Sequence, residues 1–196
     1  MHNAVRAFVF VLCLAPFGWV LYAALSGQLG PDPAEALMHE TGEWSLRMLA
    51  LTLLMSPLRV WSKSALPLKM RRMLGLFAFF YACIHLAAFL QFYIGWSAAA
   101  IFEELTERPY ILAGFVAWLL LLPLALTSTR RARRRMGLRW SQLHRAIYPA
   151  AVVACLHLLW QARSDIGEAV IYILLFGLLL GWRARRTLAG KAGSRG

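Results

Sequence analysis

His85, His144 and His157 each lie inside a long apolar stretch of this 196-residue chain. A polar ring surrounded by hydrocarbon needs a partner, so such histidines point first to function. Neutral imidazole is also a standard ligand for transition metals and haem iron. His144 and His157 fall 13 residues apart in one predicted helix, a rise of about 20 Å. That separation suits two metal centres stacked across a hydrocarbon core of about 30 Å. The spacing points to a b-type haem protein that moves electrons through a bilayer. Cys13, Cys83 and Cys155 form no C-x-x-C-H, which excludes covalent c-type attachment. They read as small buried hydrophobes.

The elements that must position these rings are membrane helices. Hydrophobic residues make up 60% of the chain and its mean hydropathy is +0.59. Apolar stretches run approximately over 5–25, 43–60, 73–95, 109–128, 142–161 and 168–184, each about the length of a span. They predict an all-α integral membrane protein, a six-helix transmembrane bundle formed by one domain over 1–189. The basic tail 190–196 is expected to be disordered. The first stretch reads as a retained helix, long enough to span, in preference to a signal peptide.

Charge sets the expected orientation. All Lys and Arg except Arg47, Arg108 and Arg163 fall at Arg6, in 59–72, in 130–145 or from 183 onward, and all nine acids fall in the alternate segments. The positive-inside rule then places both termini and the basic loops in the cytoplasm. The net charge of +12 is thereby a topology signal. The arginine run 130–135 reads as an anchor touching anionic lipid, not as a nucleic-acid site. The segment 98–108 is expected to form a short interfacial helix ending at Arg108-Pro109, where proline suits the first turn of the next span.

In that topology His85 and His157 sit at similar depth in the outer half, each about 20 Å from the cytoplasmic end of its span. Two depth-matched imidazoles on neighbouring helices can clamp one haem iron from both faces. His144, near the cytoplasmic end, is the candidate ligand of a second, inner haem. Arg71 stands 14 residues before His85, where a pairing histidine would lie. Its guanidinium suits a propionate, not an axial position. The inner centre is therefore five-coordinate, uses a weak ligand, or is absent. Ideal helical periodicity leaves His144 and His157 off a common face, which a kink at Pro149 would correct. Arg47 either neutralises an outer propionate or snorkels to the interface. His39, in the expected outside loop 26–42, reads as solvated.

Other classes remain. Intramembrane histidines also serve as polar contacts between packed helices. A transporter would show paired halves around a midplane site, and the sequence shows no internal repeat. No G-x-G-x-x-G follows a strand, so hydride uptake from a nicotinamide by this chain alone is not expected.

Several stretches together resemble the MsrQ (YedZ) family. They are Arg71-Arg72-Met73-Leu74-Gly75-Leu76 on to Tyr81 and His85, Arg108-Pro109-Tyr110 through Leu126-Thr127-Ser128, and Trp140-x-x-Leu143-His144-x-x-x-Tyr148 on to His157, with His39-x-Thr41-Gly42. The likeness covers nearly the whole chain and is similar in turn to ferric-reductase-like transmembrane domains. It implies b-type haem, one or two, on His85, His144 and His157, and it implies FMN at no identifiable residue. It further implies location in the bacterial inner membrane. Electrons would pass from a cytoplasmic flavin reductase or the quinone pool to a periplasmic molybdopterin-containing methionine sulfoxide reductase that repairs oxidised proteins. The alternative from the same chemistry is a stand-alone quinol- or ferric-reducing b-type cytochrome.

Overall fold

A computed structural model describes residues 2–162 and 166–192. Its regular structure is helical throughout, with no strand among the described residues. The first helix, α1, spans His2–Leu25 and contains Pro16. A second, α2, runs over Pro33–Ser62. It begins some ten residues before the expected span because Asp32-Pro33 is a strong start signal. Asp32 accepts a hydrogen bond from the Glu35 amide at 2.9 Å, and Pro33 occupies the first helical position, where no amide is needed. The expected outside loop therefore shrinks, and His39 lies on a helix.

Helix α3 covers Leu66–Phe89 and passes into a π-helical turn, Leu90–Ile94, closed by Gly95 at φ 65°. Ser97 caps α4, Ala98–Glu107. Pro109 opens α5, Pro109–Leu126, as its fixed φ favours. Thr129 caps α6, Arg130–Met136, so the arginine run is itself a short helix. The fifth apolar stretch is broken. It comprises α7 (Leu138–Leu143), a 3₁₀ turn at His144–Ala146, and α8 (Ile147–Gln161). Pro149 consequently sits in the first turn of α8, where its missing amide is harmless, and the expected mid-helix kink is replaced by the 3₁₀ turn. The last helix, α9, is Ile166–Ala192. It enters the tail expected to be disordered, whose residues 193–196 lie outside the described ones.

Among the described residues, five helical stretches are long and apolar enough to cross a membrane: Ala4–Leu25, Leu66–Ile94, Pro109–Leu126, Leu138–Gln161 and Ile166–Ala189. The sixth expected span corresponds to α2, which is long enough at about 45 Å but carries charge in its first half. Large apolar side chains such as Phe8, Trp19, Ile171 and Leu178 point outward on α1 and α9, as lipid-facing helices require.

The core forms where α2 packs on α3 and α5 packs on α8, the two closest helix pairs. Leu49, Leu53, Leu74, Ala78, Tyr81, Ala150 and Ala151 are almost wholly enclosed. Ser45 Oγ donates to the Ala78 carbonyl at 3.0 Å, tying α2 to α3. Tyr81 performs a similar service for α1. Its hydroxyl accepts from the Phe17 amide at 3.1 Å and donates to the Cys13 carbonyl at 2.7 Å. These are the donor and acceptor of one helical step beside Pro16, so the phenol is inserted into the α1 ladder itself.

Tyr81→Phe would leave that amide and carbonyl unpaired among apolar side chains. The expected cost is about 1–3 kcal/mol, seen as a lower unfolding midpoint of the purified protein in detergent. An unchanged midpoint would show that α1 closes its own ladder there.

Candidate functional site

His85 lies on α3 and His157 on α8, and the structure brings their rings to 6.1 Å between centroids at an interplanar angle of 78°. The two helices are not among the closely packed pairs, so they face each other across their side chains. Each ring is anchored from behind in the same way. Nδ1 of His85 is 2.9 Å from the Met38 carbonyl oxygen on α2, and Nδ1 of His157 is 2.7 Å from the Tyr110 carbonyl oxygen on α5. A carbonyl can only accept, so Nδ1 carries the proton in both rings and donates it. In the neutral ring Nε2 then keeps its lone pair. Anchoring one nitrogen to a backbone carbonyl while freeing the other is how proteins orient histidine metal ligands.

Two glycines make this anchorage possible. Both carbonyls belong to helices, where each already accepts an amide four residues on and has one lone pair to spare. The Cβ of that later residue tilts back over the carbonyl. In α2 the residue is Gly42, and in α5 it is Gly114. A Cβ at Gly42 would meet His85 Nδ1 and Cε1 at 3.1 Å. A Cβ at Gly114 would meet His157 Nδ1 and Cε1 at 2.9 Å, closer than real contacts allow. Neither glycine is signalled by turn chemistry. Gly114 sits inside an apolar stretch and Gly42 in the polar run just before one, each four residues after a carbonyl that no pattern marks.

His144 is placed apart from this pair. It lies in the 3₁₀ turn, stacked on Trp140 with centroids 3.9 Å apart. Its Nε2 is 3.1 Å from Thr127 Oγ1. That hydroxyl donates its proton to the Pro123 carbonyl at 2.6 Å, so Nε2 of His144 must be the donor. Its tautomer is therefore opposite to that of the pair, and Nδ1 holds the lone pair. Trp140 Nε1 donates to the Thr127 carbonyl at 3.0 Å, fixing the same corner. Arg71 is close enough for its charge to act on His144.

At the middle of α2, Arg47 pairs with Glu43 and lies over the Trp44 ring at 4.7 Å. His39 approaches Glu43 at 3.7 Å and Glu168 of α9 at 3.8 Å. The His39 side chain is exposed, as expected, and its ligand atoms lie with those of Glu43 and Glu168 within 4.8 Å of one another, a grouping that needs α9 to fold against α2.

Two imidazoles bound in line to one metal at about 2 Å each have centroids roughly 6 Å apart, which matches the His85–His157 spacing. Fold and site together define an all-helical protein with membrane-length apolar helices, in which the His85 and His157 rings face each other between two helix pairs. The family described as ferric reductase like transmembrane component matches residues 41–155, from just before Gly42 to just short of His157. The chain is 43% identical over 194 residues to the protein-methionine-sulfoxide reductase heme-binding subunit MsrQ of Xanthomonas axonopodis pv. citri, covering 96% of this chain and 89% of that one. It is 42% identical over 202 residues to the subunit of the same name from Polaromonas naphthalenivorans, covering 98% and 92%. This chain belongs to the MsrQ family. No solved structure matches it significantly.

Gly114→Ala is expected to push the His157 ring off the Tyr110 carbonyl and to destabilise the fold by about 1–3 kcal/mol, the usual cost of overpacking. Gly177→Ala, where the added methyl meets open space, should be close to neutral. Unfolding midpoints of the two variants make the comparison. Equal stability would mean that the ring is not held as described.

Proposed function

We propose that this chain is the membrane electron-transfer subunit of a methionine sulfoxide reductase system, carrying electrons through b-type haem. The observation that carries the reading is the pair of imidazoles at matched depth, each with Nδ1 donated to a carbonyl and Nε2 left for a metal. Both relatives are named as heme-binding subunits, in accord with that donor set. When bound, haem supplies a one-electron couple of the iron.

The residues of the chain supply what such a couple needs. His85 and His157 would hold the iron through Nε2. The Met38 and Tyr110 carbonyls fix both rings and raise their basicity as ligands. The apolar helices keep water from the centre and so help to set its potential. At the His144 end, Arg71 supplies a cation for a propionate, and His144 is the candidate ligand of a second, inner haem. Its Nε2 proton is committed to Thr127, so a second haem would need either Nδ1 or a rearranged corner. Arg47 is the corresponding outer cation, although Glu43 already holds it.

The proposed topology has α2 as a sixth span and both termini in the cytoplasm of a bacterial inner membrane, as the segregation of basic and acidic segments supports. Electrons would enter from a cytoplasmic flavin reductase or the quinone pool. They would leave to a periplasmic molybdopterin-containing subunit that reduces methionine sulfoxide in oxidised proteins. FMN belongs to the proposal on family resemblance alone, and no residue is assigned to it.

A reduced-minus-oxidised visible spectrum with haem quantified per chain tests this reading. His85→Ala and His157→Ala are each expected to abolish the low-spin b-type bands. His144→Ala should keep them, and any fall in haem per chain would report an inner centre. Arg71→Ala should lower retention of that inner centre alone. Low-spin bands unchanged in either His85→Ala or His157→Ala would overturn the pairing, and turnover without a periplasmic partner would favour a stand-alone cytochrome.

A further inference from the structure

At the Ser62 end of α2, away from the His39 cluster, a cleft of about 550 Å³ opens between α2, α3 and α9. Arg59, Arg71, Arg183 and Arg186 line it, together with Ser56. None of these arginines makes an ion pair among the described residues. The ion pairs there involve Glu43, Glu104 and Glu168, and every acid in the sequence belongs to the alternate segments. Four like charges converging on one cleft repel each other, and no carboxylate among the described residues pairs with them.

Two of the guanidinium groups are nevertheless held in position. Arg183 lies over the Tyr148 ring at 5.0 Å and Arg186 over the Trp182 ring at 5.2 Å. Such stacking leaves the N–H edges of the fork free to donate. Ser56 adds an independent sign. Its Oγ is fully buried with no hydrogen-bond partner. Elsewhere on α2, Thr52 and Ser62 each satisfy their hydroxyl on the carbonyl four residues back, at 2.7 Å. An unpaired buried hydroxyl is costly, and this one lines the arginine cleft.

We propose that the cleft binds a phosphate group carried on a larger molecule. Phosphate offers several acceptor oxygens and the negative charge that several guanidinium forks and a hydroxyl can share. The volume is in the range of small-molecule pockets and larger than a bare ion needs. The carrier is either an anionic phospholipid of the adjoining leaflet or a soluble phosphate ester. Both present the same group to the same donors.

The test is equilibrium binding to the delipidated, full-chain holoprotein in zwitterionic detergent, with phosphatidylglycerol and glycerol 3-phosphate as separate probes. Saturable binding of at least one probe is expected. The double variant Arg183→Gln/Arg186→Gln should weaken it by about tenfold or more, the loss expected for charge-assisted hydrogen bonds. Arg130→Gln/Arg134→Gln removes the same charge from α6, outside the cleft, and should weaken binding much less than the cleft variant does. Ser56→Ala, a change too small to endanger folding, should weaken binding severalfold. Binding of phosphatidylglycerol alone assigns a lipid, and binding of glycerol 3-phosphate as well assigns a soluble ester. No saturable binding of either probe, or equal weakening by the α6 double variant, would overturn the site.

Discussion

The structure depends on one constraint: a histidine nitrogen among apolar helices must be matched, and only backbone carbonyls are at hand to match it. A helical carbonyl normally lies beneath the Cβ of the residue four positions on. Gly42 and Gly114 remove that cover from the Met38 and Tyr110 carbonyls. A ring from a neighbouring helix can then approach and donate its Nδ1 proton. The helix pairs α2–α3 and α5–α8 are tied by the same contacts that leave the lone pair on Nε2 of each ring. Packing and site chemistry are here a single interaction.

The same rule explains features far from the pair. Pro16 would leave α1 with a distorted step, and the Tyr81 hydroxyl fills it by accepting from one residue and donating to another. Thr127 has one hydroxyl proton, and because the Pro123 carbonyl takes it, His144 must donate through Nε2. One Thr–Pro contact thus gives His144 a tautomer opposite to that of His85 and His157. In each case the number of protons available on a single group decides the arrangement.

Electrostatics divides the molecule into two unlike ends. Acidic residues gather near the start of α2 and α9, where His39, Glu43, Arg47 and Glu168 interact. Arginines gather at the other end, and those of the cleft meet no carboxylate among the described residues. A chain oriented by the positive-inside rule tends toward this asymmetry.

The sequence by itself determined the all-helical class, the approximate positions of the apolar helices and the placement of His85 and His157 within two of them. Those properties depend on composition and on rise per residue, which act locally along the chain. It misplaced the start of α2, where the Asp32 cap and Pro33 outweighed low hydropathy, and so put His39 in a loop. It also took His144 and His157 for one continuous helix, which the 3₁₀ turn at His144–Ala146 interrupts. Only tertiary structure decided which carbonyls anchor the rings, why Gly42 and Gly114 are needed, and that Ser56 shares a cleft with Arg59, Arg71, Arg183 and Arg186. The physical reason is the same for all of these. They are encounters between residues of different helices, fixed by the rotation and separation of packed helices, which a one-dimensional pattern of hydrophobicity and charge does not encode.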